Sequence, residues 1–236
     1  MKNLIRKILV FLGIHKSYAE RLRKQGISIG KNTVFVDSRT NTIDIGRPYL
    51  LEIGKNSLIG KGVIILTHDY SRTVLRKKYG ELIGEGRKTV IGDNVFIGMN
   101  AIILMGAHIG NNVIVGAGSV VSGNIPDDVV IAGNPAKIIR TIEEHYKIRQ
   151  EKTLLEAKET VNAFHNKYQR IPTIKECDPF WWLFMPRNLD AVKQTGVFTK
   201  LSADNEEEML DAFMNSEPKF ESFEKFIEWC LDKGTK

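Results

Sequence analysis

The chain has 236 residues, 42% of them apolar and 26% charged, which fits a soluble globular protein and excludes a disordered, collagenous or multi-span membrane chain. Its length is at the upper end for one domain, so one main core with an appendage is expected. The formal net charge is +6, and the two cysteines, Cys177 and Cys230, are too few for a disulfide framework, so a reducing, cytoplasmic setting is expected.

The composition changes near residue 140. Of the 20 glycines, 18 lie in residues 1–140, whereas Trp181, Trp182 and Trp229 all lie beyond it. Residues 1–140 carry a net charge of +10 and residues 141–236 carry −4, so an anionic ligand or surface is expected at the Gly-rich part. Three segments follow: an N-terminal helical cap over 1–28, a repeat domain over 29–140 with a loop insert at 67–90, and an α-helical extension over 141–236. In the first, the apolar run Ile8-Leu9-Val10-Phe11-Leu12 is far short of the roughly 20 residues that span a bilayer. A short amphipathic helix capping the next domain is expected. With Arg21, Arg23 and Lys24 nearby, residues 1–24 also suit peripheral contact with an anionic membrane surface.

From Ile29 an aliphatic residue, often followed by Gly, recurs every six residues. The pattern runs through Ile53-Gly54, Ile59-Gly60 and Ile65-Leu66, then without a break through Ile91-Gly92, Ile97-Gly98, Ile103-Leu104, Ile109-Gly110, Val115-Gly116 and Val121-Ser122. The fifth place of each hexad is small or β-branched, as at Ser57, Val63, Val95, Ala101, Ala107, Val113 and Ser119. Six is even, so period-2 strands keep these side chains pointing inward, whereas helical periodicity would scatter them. A hexapeptide period with Gly at the corners marks a parallel β-helix.

One insert breaks the repeat, between Ile65 and Ile91, and residues 71–88 within it carry a net charge of +4. A long loop interrupting a regular solenoid is usually functional. It opens at His68, one of five histidines with His15, His108, His145 and His165. A neutral imidazole can take a proton from a hydroxyl and release it later, so His68 is the candidate general base.

These repeats resemble the left-handed β-helix, or hexapeptide-repeat, acyltransferases, and the resemblance alone implies the left hand and a mainly β fold. Thr67-His68-Asp69, Ile91-Gly92-Asp93-Asn94-Val95-Phe96-Ile97-Gly98, Gly116-Ala117-Gly118-Ser119-Val120-Val121 and Ala132-Gly133-Asn134-Pro135-Ala136-Lys137 are, in this order, similar to the galactoside and maltose acetyltransferase branch. The resemblance implies acetyl-CoA as donor, a hydroxyl of a sugar or surface-polysaccharide precursor as acceptor, and a homotrimer with its sites between subunits. It implies direct attack in a ternary complex, with His68 as base and the Met99 backbone N–H as oxyanion donor. It places Gly98, Ala117, Asn134, Pro135, Lys137 and Arg140 along acetyl-CoA, and Asp69, Tyr70 and Arg72 at the acceptor. Two positions depart from the pattern: Val121-Ser122-Gly123-Asn124 lacks a lysine found in relatives, and Phe96 stands where Trp is common.

Other chemistries fit less well. His68 and His108 are isolated, so no metal is expected. Gly116-Ala117-Gly118 is explained by a hexad corner without a nucleotide cradle, and the basic residues lack the stacking platform of a nucleic-acid binder. An N-acetyltransferase of an amino sugar and a non-catalytic β-helix scaffold remain alternatives. In the extension, Thr141 to Arg170 has helical character, with Ile148, Leu155, Val161 and Phe164 available for packing. The stretch Asp178 to Pro186, with Trp181 and Trp182, is expected to be core. Two short helices are expected around Met209–Phe213 and Phe220–Leu231.

Overall fold

The structure is a computed structural model that describes residues 18–197 and 206–232. The expected contact of residues 1–24 with a membrane therefore lies mostly outside the described residues. By contacts the chain divides into two units, residues 1–145 and 146–236.

In the first unit each hexad supplies one short strand, and successive hexads pass to different sheets. Ile91 pairs in parallel with Ile109, Ile97 with Val115, and Ile103 with Val121, so three hexads close one coil. The first sheet stacks Ser28–Ile29, Leu51–Ile53, Thr89–Ile91, His108–Ile109 and Asn124–Ile125. The second stacks Val34–Phe35, Leu58–Ile59, Phe96–Ile97, Ile114–Val115 and Val129–Gly133, and is closed by the antiparallel strand Ala136–Thr141. The third stacks Thr42–Ile43, Ile64–Ile65, Ile102–Ile103 and Val120–Val121. This is a parallel β-helix. Ile59, Ile65, Ile97, Ile103, Val115 and Val121 are fully buried inside it, each stabilising the fold by about 1.5–3 kcal/mol relative to an exposed side chain.

The corners explain the rest of the hexad. A Cβ at Gly54 would lie 2.4 Å from the Gly92 carbonyl oxygen of the next coil, so no side chain fits there. Two places further on, Asn56, Asn94 and Asn112 take φ of 55°, 54° and 55°, a left-handed conformation that Asn tolerates better than most residues. The Asn94 amide donates to Asn112 at 2.9 Å, and the Asn112 amide donates to Asp128 at 2.9 Å. Helix α1 (Tyr18–Lys24) closes one end of the coil. Leu22 is buried in the core, and the Arg23 Nε donates to the Ile29 carbonyl at 2.8 Å.

The insert leaves the coil at Thr67 and rejoins it at Thr89, carrying helix α2 (Arg72–Tyr79), which Gly80 ends at φ +75°. Thr67 and Thr89 are fully buried at its stem, where the Arg87 N–H donates to the Thr67 carbonyl at 3.0 Å.

Helix α3 (Ile142–Tyr168) leads into the second unit, which continues through α4 (Leu189–Thr195), α5 (Glu206–Met214) and α6 (Phe223–Leu231). The expected mainly β class is therefore too narrow. α3 alone spans 27 residues, against two or three for most hexad strands, and the fold is a parallel β-helix with a helical C-terminal unit. Ala157 and Val161 of α3 are buried, but Leu155 is 57% exposed, contrary to its expected packing role. The packed stripe runs through Leu154, Ala157 and Val161, at helical spacing, and Leu155 falls outside it. Trp181 is 2% exposed, as expected of core, whereas Trp182 is only partly buried. Both line a cavity of about 380 Å³ together with Pro179, Met209, Ala212, Phe213 and Ser216. Among the described residues no helix is long and apolar enough to cross a membrane.

Candidate active site

His68 stands at the stem of the insert, just beyond the third-sheet strand Ile64–Ile65. Its Nδ1 lies 2.5 Å from Asp44 Oδ2, with the two side chains 21% and 6% exposed. An ionised carboxylate only accepts, so Nδ1 carries a proton, and in the neutral imidazole Nε2 then holds the lone pair. Asp44 also accepts from the Thr67 N–H at 3.1 Å and from the Thr67 hydroxyl, and its Oδ1 accepts from the Gly46 N–H at 3.0 Å. Burial pushes its carboxyl up, but the hydrogen bonds from Thr67, His68 and Gly46 outweigh this and hold it below the ordinary carboxylate value.

That lowered pKa has a sign. A carboxyl that is more acidic when folded contributes stability in full above its unfolded value, and this contribution fades as pH falls through the folded value. The melting temperature of wild type should therefore exceed that of Asp44→Asn at neutral pH, and the gap should close on acidification. A gap unchanged into strongly acid solution would contradict the pairing.

Sequence reasoning missed Asp44. It lies 24 residues before His68, one coil below, and only the stacking of coils brings the two together. The 18-residue period of the regular coils gave no signal for it, because Thr42–Ile43 underlies Ile64–Ile65 at a separation of 22 residues.

The expected acceptor residues surround His68 unevenly. The Tyr70 ring meets the imidazole edge-on, with centroids 5.1 Å apart, and is 65% exposed. The Arg72 guanidinium lies over the Tyr70 ring at 5.4 Å. The Asp69 carboxylate accepts from the Ser71 N–H and hydroxyl, both at 2.8 Å, and so shapes the turn into α2.

The expected donor residues line a different edge of the prism. Ile97, Val115 and Ile131 are paired neighbours on the second sheet, so Gly98-Met99, Gly116-Ala117 and Gly133-Asn134-Pro135 follow them on successive rungs. Along the preceding edge, the N–H after each corner glycine is capped from the next coil. Lys55 donates to Asp93 at 2.9 Å, Asp93 to Asn111 at 2.9 Å and Asn111 to Asp127 at 2.7 Å. At the second edge the equivalent N–H groups of Lys61, Met99 and Ala117 meet no acceptor among the described residues. All three residues are exposed. A Cβ at Gly98 would lie 2.6 Å from the Ala117 nitrogen, so only Gly leaves this row of donors undisturbed. Lys137 and Arg140 lie on the closing strand without an ion-pair partner among the described residues.

Neither cysteine suits nucleophilic catalysis. Both are buried in the second unit, and burial pushes each thiol up to about 12. Among the described residues no group of three or more His, Cys, Asp or Glu side chains is placed to hold a metal ion.

A family model described as bacterial transferase hexapeptide (six repeats) matches residues 88–123. Protein CapG of Staphylococcus aureus is 43% identical over 126 residues, which are 53% of this chain and 72% of CapG. The putative acetyltransferase YvoF of Bacillus subtilis is 38% identical over 120 residues, 50% of this chain and 62% of YvoF. The putative lipopolysaccharide biosynthesis O-acetyl transferase WbbJ of Escherichia coli is 33% identical over 135 residues, 51% of this chain and 67% of WbbJ. The chain belongs to the hexapeptide-repeat acetyltransferase family and is an acyltransferase.

Proposed function

We propose that this chain moves an acetyl group from acetyl-CoA to a hydroxyl of a sugar or surface-polysaccharide precursor, on a left-handed coil and within a ternary complex. The observation that carries this reading is His68, fixed through Nδ1 by Asp44 at the stem of the insert, with Nε2 left to accept a proton. The likeness to WbbJ, a putative O-acetyl transferase of lipopolysaccharide biosynthesis, supports a sugar hydroxyl as acceptor.

The residues fit the donor. The uncapped N–H groups of Met99 and Ala117 can meet its carbonyl oxygen and amides, and Lys137 and Arg140, with Asn134 and Pro135 beside them, present cations for its phosphates. The thioester supplies an activated acyl carbon and a thiolate leaving group. His68 Nε2 takes the hydroxyl proton as the acceptor oxygen bonds to that carbon. The Met99 N–H stabilises the negative charge that develops on the carbonyl oxygen only in the transition state. His68 then returns the proton to sulfur as the carbon–sulfur bond breaks.

His68 follows the third sheet and Met99 the second, so one chain presents them on different edges. A site that uses both joins edges of two copies, and a closed trimer supplies three such sites.

Asp44→Asn removes the charge that orients the base. A hydrogen bond to a charged group is worth about 1.5–3 kcal/mol, so turnover should fall about 10- to 150-fold with little change in acetyl-CoA KM. An unchanged turnover would remove Asp44 from the mechanism. The reaction itself is tested by thiol release from acetyl-CoA with a panel of sugars and amino sugars. Release with sugars lacking an amine supports the reading. Release with amino sugars alone would make the chain an N-acetyltransferase, and release with none would overturn the sugar acceptor.

A further inference from the structure

We infer that the acceptor carries an anionic group, a carboxylate or a phosphate, which Arg72 binds beside the reacting hydroxyl; this rests on the proposed sugar acetyl transfer. The geometry begins at the base. The Tyr70 ring stands edge-on to His68, and Arg72 lies on that ring, so two successive contacts join the base to an exposed aromatic ring and a cation.

Arg72 is placed against its own helix. It occupies the first turn of α2, where the helix end is electropositive, and that turn contains no acidic residue. Arg76 follows four residues on, on the same face, and like charges at this spacing repel. Neither has a carboxylate within ion-pair distance among the described residues. Asp69 is held by the Ser71 N–H and hydroxyl, and Glu52 pairs with Lys88 at 2.7 Å. Arg76, Lys77 and Lys78 in the last turn complement the helix dipole, but Arg72 does not. The Tyr70 ring offsets these two local costs in part, and an anion supplied from outside offsets the rest. A sugar seated on Tyr70 would bring its ring to the aromatic face and its charged substituent to the guanidinium.

The test compares methyl galacturonoside and galactose 6-phosphate with neutral methyl galactoside, using the full-length protein and acetyl-CoA. At low salt kcat/KM for at least one charged sugar should exceed that for the neutral one by about tenfold or more, and the gap should shrink as salt is raised. Which charged sugar is preferred separates carboxylate from phosphate. Arg72→Gln should bring the ratio close to one, and Arg72→Lys should restore part of it, with the melting temperature within a degree or so of wild type since the loop is largely exposed. Equal rates for charged and neutral sugars in wild type would overturn the inference and leave the sugar reading standing. A rise in acetyl-CoA KM in Arg72→Gln without a change in the sugar ratio would assign the cation to the donor and also overturn it. If no sugar is acetylated, the sugar reading fails. Calorimetric titration of the two charged sugars then decides the anion site: binding lost in Arg72→Gln upholds it, and no binding to wild type ends it.

Discussion

His68→Ala is expected to lose about 10²- to 10⁴-fold in turnover, the range for a positioned general base, with acetyl-CoA binding nearly unchanged. The expectation comes from the Asp44 contact, which spends Nδ1 and leaves Nε2 as the one ring nitrogen able to accept. Steady-state kinetics at saturating acetyl-CoA gives turnover, and titration of the variant with the donor gives binding. A variant that keeps half its activity would remove His68 from the chemistry. Loss of donor binding in step with turnover would instead assign the imidazole to the donor site. Asp44→Asn should show a smaller loss, because it leaves the imidazole present but less firmly oriented.

Trp181→Ala should destabilise the second unit by about 3–5 kcal/mol, the usual cost of deleting a large buried ring. Trp181 is 2% exposed and packs against Phe213 with centroids 4.9 Å apart. Removing it enlarges a cavity that already measures about 380 Å³, and no neighbouring side chain fills the added space without repacking. Trp182→Ala, at the same cavity but only partly buried, should cost less. Urea denaturation followed by the helical circular dichroism signal distinguishes the two. Equal small losses would show that neither indole is core.

The hexads made the prism legible because their period is a property of single positions. Each aliphatic residue reports its own inward direction, and six residues return the strand to the same phase. The insert was legible for the same reason, as the long gap between Ile65 and Ile91 where the phase is lost. Partners one coil away were not legible. Asp44 and His68 are 24 residues apart because the lowest coil is irregular, so no fixed offset pairs them. The capping of Lys55, Asp93 and Asn111 by side chains of the following coil was likewise hidden, and with it the contrast that leaves Met99 and Ala117 uncapped. In the extension, Leu155 and Ala157 are two positions apart on a helix whose polar and apolar residues are weakly segregated. Apolar character alone pointed to Leu155, whereas packing selects the small Ala157.

The shared site is the central claim, and mixing two inactive variants tests it most directly. His68→Ala keeps the Met99 N–H, and Met99→Pro keeps His68 but has no N–H to donate. Each variant alone should be nearly inactive. Unfolded and refolded together in equal amounts, they should form trimers in which about a quarter of the sites combine an intact His68 edge with an intact Met99 edge, and thiol release should recover to about that fraction of wild type. Sedimentation should show the mixture as trimers. Thiol release from the mixed sample no greater than the sum of the two variants measured apart would mean that each site is built within one chain.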